Sequence, residues 1–169
     1  MPDSIVKHAN FIVINDTGTL ITGSPKIGKS EISLALIDRG HCFISDDATE
    51  LTRKKNEIIG SCPKRINPLM QIDHIGLINV EKLFEKNSCT AEHCVDLCIA
   101  LKNPDEIELE TKPLTPNLKN IDILGIEIPC YELPVIAGKQ LPLLIEIIVR
   151  NFILQKTGYN ALEDLKERS

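Results

Sequence analysis

Short β-branched runs separated by turn residues dominate the first third of the chain. Phe11-Ile12-Val13-Ile14 and Thr19-Leu20-Ile21-Thr22 flank the cluster Asn15-Asp16-Thr17-Gly18, which predicts a hairpin. From Lys29 to Asp38 the apolar residues Ile32, Leu34, Ala35, Leu36 and Ile37 follow a helical pattern, and Arg39-Gly40 closes that helix with a cation and a C-terminal glycine. His41 to Ser45 then reads as a strand running into Asp46-Asp47. The order strand, glycine-rich segment, helix, strand predicts an α/β core with a right-handed crossover and a parallel strand pair. Glu50 to Ile59 predicts a second hairpin whose tip, Arg53-Lys54-Lys55-Asn56, is a solvated turn. Further strands are expected at Leu77-Ile78-Asn79, Val95 to Leu101 and Ile126 to Leu133. Asn103 to Asn120 carries Pro104, Pro113 and Pro116 without a clear period and predicts an irregular surface excursion. Leu144, Ile147, Ile148, Asn151 and Phe152 predict a long amphipathic helix over Leu141 to Lys156, with Pro142 in its first turn and Gly158 closing it.

At 169 residues, 43% apolar and 25% charged, the chain fits one globular domain over 1–169, with no tandem repeat or low-complexity linker. A net charge of -5 with no Trp and 2 Tyr argues against a nucleic-acid surface, which needs a basic field and stacking platforms. The N-terminal residues have no signal-peptide pattern and no span of about 20 apolar residues occurs, so a soluble, cytoplasmic protein without membrane attachment is expected. In that reducing setting the six cysteines are expected as free thiols. Cys89, His93, Cys94 and Cys98 lack the C-x2-C knuckle of structural zinc sites, and Cys98 lies in an apolar run where a thiol acts as a small hydrophobe.

Gly23-Ser24-Pro25-Lys26-Ile27-Gly28-Lys29-Ser30 fulfils the pattern G-x-x-x-x-G-K-S between a predicted strand and a predicted helix. Such a P-loop surrounds phosphate oxygens with backbone N–H groups, sends its lysine, here Lys29, to the β and γ phosphates, and places a hydroxyl, here Ser30, on Mg²⁺. ATP with Mg²⁺ is the implied cofactor pair. Asp46-Asp47 follow the next strand, so in a parallel sheet they emerge at the carboxyl edge beside the loop. Two carboxylates there suit Mg²⁺ contact and acceptance of a hydroxyl proton during phosphoryl transfer, while the same pair could merely shape a turn.

Several further segments match in order: His8, Leu20-Ile21-Thr22-Gly23 through Ile27-Gly28-Lys29-Ser30-Glu31, Arg39-Gly40-His41, Asp46-Asp47-Ala48, Ile75-Gly76-Leu77-Ile78-Asn79-Val80, Ile123 to Pro129, Asn151-Phe152 and Gly158-Tyr159-Asn160-Ala161. Together they make the chain resemble the catalytic domain of the HPr kinase/phosphorylases, which phosphorylate a serine of the phosphocarrier HPr. The resemblance implies a fold close to that of phosphoenolpyruvate carboxykinase, HPr or a related carrier as partner, and hexameric assembly. It also makes Asp46 the base that deprotonates the target serine, Ser30 the Mg²⁺ ligand, and His8 a histidine near the phosphate site able to pair with Asp46. The family's N-terminal regulatory domain is expected to be absent, since the match begins within the first ten residues.

Three departures bear on activity. Where the family carries a Glu that assists Mg²⁺ binding, followed by an Arg-Gly pair, this chain has Gln71, Asp73 and His74. Ile136-Ala137-Gly138-Lys139 replaces a loop with two family arginines, and Lys112 is the nearest counterpart of a third. An amide is a poorer ligand than a carboxylate for a hard cation, and lysine lacks the bidentate fork of arginine. Three readings follow: a Mg-ATP-dependent serine kinase with uncertain phosphorylase activity, a nucleotide-binding regulatory protein with weakened catalysis, or a kinase of a small metabolite.

Overall fold

Side chains along the central strands alternate between two buried faces. In strand β2, Ala9–Ile14, Ile12 and Ile14 enter one apolar cluster while Ala9 and Phe11 enter another. Strand β3, Thr17–Thr22, divides Ile21 from Leu20 in the same way. Strand β10, Leu97–Lys102, sends Leu97, Ile99 and Leu101 to the first cluster and Cys98 and Ala100 to the second. Strands buried on both sides read as continuous apolar runs rather than alternating ones, which is why the sequence marks them so clearly. The structure, a computed structural model, describes residues 3–63, 68–85, 87–107 and 114–169; Lys112 lies outside them.

Three layers result. The middle layer is a six-stranded mixed sheet in the order β11-β12-β10-β3-β2-β4, completed by β4 (Cys42–Ser45), β11 (Leu118–Ile123) and β12 (Ile126–Pro134). Helices α1 (Lys29–Asp38) and α3 (Leu141–Lys156) cover the first cluster through Ile32, Leu36, Ile145 and Val149. A four-stranded antiparallel sheet covers the second, formed by β1 (Ser4–Lys7), β5 (Thr49–Lys54), β6 (Glu57–Ser61) and β9 (Glu92–Cys94), with Leu51 and Ile58 reaching inward. The hairpin β7 (Leu69–Ile72) with β8 (Gly76–Asn79) leans on the helical side through Met70 and Ile72. Helix α2 (Val80–Phe84) starts at Asn79, whose side chain accepts the Lys82 N–H, and helix α4 (Ala161–Arg168) starts at Asn160, which accepts from Leu162 and Glu163.

Both long helices close at the glycine the sequence indicates, although the last turn of α1 holds no cation. Gly40 at φ 99 lets its own N–H reach the Ile37 carbonyl and the His41 N–H reach that of Leu36, a Schellman closure that needs the left-handed conformation. Arg39 stands at the cap of α1, one residue beyond the helix, and its Nε donates to Glu146 of α3. Glu146 is 5% exposed and its other oxygen lies 3.5 Å from His41 Nε2, so one carboxylate ties α1 to α3. Burial, and then the Arg39 and Arg150 cations, hold the His41 pKa below its ordinary value.

The expected parallel pair flanking α1 is interrupted. β3 and β4 point the same way, but β2 lies between them and pairs antiparallel with both. The parallel ladders run instead from β3 to β10 and from β10 to β12. The start of β2 therefore reaches the edge at which β3 and β4 end, with Ala9 opposite Thr22 and Phe11 opposite Ser45. A register shift between Phe11 and Ile12 gives β4 one extra residue there, which turns the chain just before Asp46. The chain also changes sheets at this edge, at His8 between β1 and β2 and at Asp46 to Ala48 between β4 and β5.

The hairpin turn of β2 and β3 is locked onto the start of β10. Gly18 donates its N–H to Asp96 at 2.8 Å and accepts at its carbonyl from the Asp96 N–H. A Cβ at this position would stand 1.8 Å from the Cys94 carbonyl oxygen, so Gly18→Ala requires backbone movement. We expect it to destabilise the protein by at least about 2 kcal/mol, read as a lower urea midpoint at unchanged slope.

Candidate active site

The loop from Gly23 to Gly28 joins the carboxyl end of β3 to the first turn of α1. Gly23 is required by close approach, because a Cβ there would meet Ile27 Cγ2 at 2.8 Å and Leu101 at 3.2 Å. Gly28 is required by its backbone, with φ at 111. No side chain caps α1 at Gly28, leaving the amides of its first turn available to an anion. Lys29 is buried, and its Nζ donates to the carbonyls of Gly23 at 3.0 Å and Ser24 at 3.3 Å. The ammonium thus folds over its own loop, where an anion seated on the amides would meet it.

Beside the loop is a cavity of about 270 Å³ lined by Pro25, Lys26, Gly28, Lys29, Ser30 and Glu31 on one side and by His8, Asp46, Asp47, Gln71 and Asp73 on the other. The structure so brings together most of the residues singled out in the sequence. Gly23 and Ser24 face a neighbouring cavity with Lys7, Thr22 and Lys102, and Ile27 packs against the apolar core. Lys139 lines neither cavity and lies exposed in the turn closed by its N–H to the Ile136 carbonyl.

Asp46 is the best-connected group in the cavity. Its Oδ1 accepts from Ser30 Oγ at 2.7 Å and from Asn10 Nδ2 at 2.9 Å, while Oδ2 has, among the described residues, only the Gln71 N–H at 3.4 Å. Burial pushes its carboxyl above the ordinary aspartate range; the bonds from Ser30, Gln71 and Asn10 pull it back, and Asp47 pushes it up again. A carboxyl raised in this way, with Oδ2 held by one long contact, is more ready than an ordinary aspartate to accept a proton. His8 pairs with Asp47 rather than with Asp46 as expected, its Nε2 lying 3.1 Å from Asp47 Oδ1. The two adjacent aspartates differ locally: Asp47 takes a left-handed φ of 65 and gives its N–H to Asn10, while the Asp46 carboxylate is taken up by Ser30 and Asn10.

Asn10 escaped the sequence reading, although a polar residue between His8 and the apolar run from Phe11 was a visible signal. The cysteine cluster disperses. None of the six cysteines forms a disulfide, and Cys98 is buried in β10 directly opposite Cys130 of β12. Among the described residues, the metal-capable atoms that do converge, within 4.8 Å, belong to His93, Cys94 and Asp96. They already serve the turn: Cys94 Sγ donates to Asp96, His93 Nδ1 is 2.8 Å from the Cys94 carbonyl, and Asp96 holds Gly18.

A family model described as the HPr Serine kinase C-terminal domain matches residues 1–169. The chain belongs to this family. It is 34% identical over 162 residues to the HPr kinase/phosphorylase of Malacoplasma penetrans, covering 96% of this chain and 54% of that protein. To the HPr kinase/phosphorylase of Neisseria meningitidis serogroup C it is 35% identical over 167 residues, covering 98% and 52%. The chain thus spans about half the length of these curated relatives. Among solved structures, the Hpr(Ser) kinase/phosphatase of Coxiella burnetii superposes with a TM-score of 0.87 at 45% identity, covering 95% of this chain and 98% of that one. These matches carry the α/β fold with mixed sheets across the whole family domain.

The raised Asp46 carboxyl has a consequence for stability. Its folded-state pKa lies above its unfolded one, so this group favours the folded state at acid pH and that contribution is lost as pH rises through the folded value. We expect Asp46→Asn to melt at a higher temperature than the unaltered protein at neutral pH. The gap is expected to shrink as pH falls toward the ordinary aspartate value near 3.8. Thermal unfolding across a pH series checks the sign.

Proposed function

We propose that this chain is a P-loop kinase domain, of a fold like that of phosphoenolpyruvate carboxykinase, which uses Mg-ATP to phosphorylate a serine of HPr or a related phosphocarrier. The observation that carries this reading is the placement of Asp46, hydrogen-bonded to Ser30 at 2.7 Å and facing the same cavity as Lys29. A base, a phosphate-binding cation and a hydroxyl ligand are thereby gathered where one triphosphate can touch all of them. The names of the relatives, HPr kinase/phosphorylase, supply the protein substrate.

The cavity's own charge supports a divalent cation. Four carboxylates, from Glu31, Asp46, Asp47 and Asp73, face two lysines, Lys26 and Lys29, so a bare triphosphate would be repelled. The donors near the loop are hard oxygens, which suit Mg²⁺. Ser30 and Gln71 are the residues that would hold it, and the bound ion would offset charge on the β and γ phosphates during transfer. Lys29 would leave the Gly23 and Ser24 carbonyls for the phosphate oxygens, and the amides of the α1 first turn would take others. The serine oxygen attacks the γ phosphorus, a new O–P bond forms, the bond to the bridging β,γ oxygen breaks with that electron pair leaving on ADP, and Asp46 accepts the serine proton. His8, held by Asp47 through Nε2, lines the same cavity.

A second reading is favoured by Gln71 and Asp73, which line the cavity where the family resemblance implies a carboxylate and an arginine. Under it the domain binds nucleotide but transfers or removes phosphate slowly. Cytoplasmic residence and hexameric assembly remain part of the proposal; no helix among the described residues is long and apolar enough to cross a membrane.

Three outcomes are expected. Lys29→Ala abolishes tight ATP binding in calorimetry while the protein stays folded, and unchanged affinity would remove the P-loop assignment. Asp46→Asn keeps ATP binding but lowers γ-phosphate transfer to purified HPr by at least about a hundredfold; transfer to a metabolite panel instead of HPr would point to a small-molecule kinase. Gln71→Glu combined with Asp73→Arg strengthens Mg²⁺ dependence and speeds phosphate release from serine-phosphorylated HPr. The second reading is lost if the unaltered protein already releases phosphate briskly and the double change does nothing.

A further inference from the structure

Asn10 is wholly buried, at 0% exposure, yet it carries no apolar contact surface of the kind that fills the rest of β2. Its amide instead joins three elements. Nδ2 donates to Ser33 Oγ of α1 at 2.9 Å and to Asp46 Oδ1 beyond β4 at 2.9 Å. Oδ1 accepts the backbone N–H of Asp47, also at 2.9 Å. An uncharged amide can give to a carboxylate and take from a peptide N–H in the same plane. An aspartate here would set one carboxylate against another, and a leucine would take this partner from the Asp47 N–H.

The effect on Asp46 is orientational. With Ser30 and Asn10 both donating to Oδ1, that oxygen is occupied from two sides, and among the described residues Oδ2 keeps a single long contact, to the Gln71 N–H. The same amide fixes the left-handed turn at Asp47 through its N–H. We propose that Asn10 is a positioning residue that selects Oδ2 of Asp46 as the oxygen receiving the substrate's proton, and holds the Asp46-Asp47 turn against the first turns of α1. The catalytic consequence rests on the kinase reading above; the hydrogen bonds themselves do not. The titratable groups sharing the cavity with Asp46 are His8, Lys26, Lys29, Glu31, Asp47 and Asp73, and Asn10 is the neutral donor from the sheet beneath them.

A double-mutant cycle tests the proposal. Asn10→Leu is expected to lower kcat for phosphate transfer to HPr by roughly ten- to a hundredfold while the KM for ATP stays within about twofold, since misplacing a reacting group costs rate rather than nucleotide affinity. In an Asp46→Asn background the same change is expected to cost less than about twofold, because the group it positions is gone. A residue serving only packing would lower kcat by the same factor in both backgrounds, and that result overturns the inference. Should Asn10→Leu fail to fold, the side-chain amide signals of Asn10 in the ¹⁵N–¹H spectrum of otherwise unaltered protein serve instead. They are expected to move in Asp46→Ala and to stay put in Lys26→Ala; an amide pair indifferent to the loss of the carboxylate also overturns it. If the unaltered protein transfers no phosphate to HPr while the amide responds to Asp46→Ala, the kinase reading falls and the positioning contact stands.

Discussion

A sheet covered on both faces can keep charge only at the ends of its strands. Here helices cover one side of β2, β3 and β10 and a second sheet covers the other, so a titratable group in mid-strand would lose its hydration without finding a partner. The chemistry is accordingly collected at one edge, where β3 and β4 end and β2 begins. The antiparallel insertion of β2 is what lets His8 and Asn10 meet residues from the far ends of its two neighbours. A purely parallel arrangement would have carried them to the opposite edge.

At that edge the local structure opposes ordinary preferences in several places. Lys26 and Asp47 occupy left-handed backbone conformations, Gly28 opens a helix without a side-chain cap, and Asp46 is a half-buried carboxylate beside a second one. Each is costly alone. They persist because buried neighbours determine them: Ile27 and Leu101 pack around Gly23, and Asn10 anchors the turn from below. The ionic joint of Arg39 and Glu146 does the equivalent at the other end of α1, fixing the helix against α3.

What the sequence disclosed is what neighbouring residues encode together. The glycine-rich loop, the limits of α1 at Lys29 and Asp38, and the span of α3 all depend on residues a few positions apart, and the structure places them where the pattern puts them. The insertion of β2 between β3 and β4 depends on long-range register and left no local trace. β1 and β9 are three to four residues long and partly polar, too short to show a period. The pairing of His8 with Asp47 was hidden for a subtler reason, since two adjacent aspartates look equivalent until the φ of 65 at Asp47 and the partners of Asp46 tell them apart. Asn10 was visible only as an anomaly, a polar residue whose three partners lie 23, 36 and 37 positions away.

The neighbours of β3 carry a consequence for how the domain assembles in time. On one side β3 pairs with β2 across a tight hairpin, but on the other it pairs with β10, bringing Leu20 beside Cys98 across 78 positions of chain. Closing that loop costs entropy before any contact repays it. A nascent chain can form the hairpin early, yet the strand that feeds the glycine-rich loop stays open on one edge until Leu97 to Lys102 have been made. The end of β3 that carries the glycine-rich loop is therefore a late product of folding.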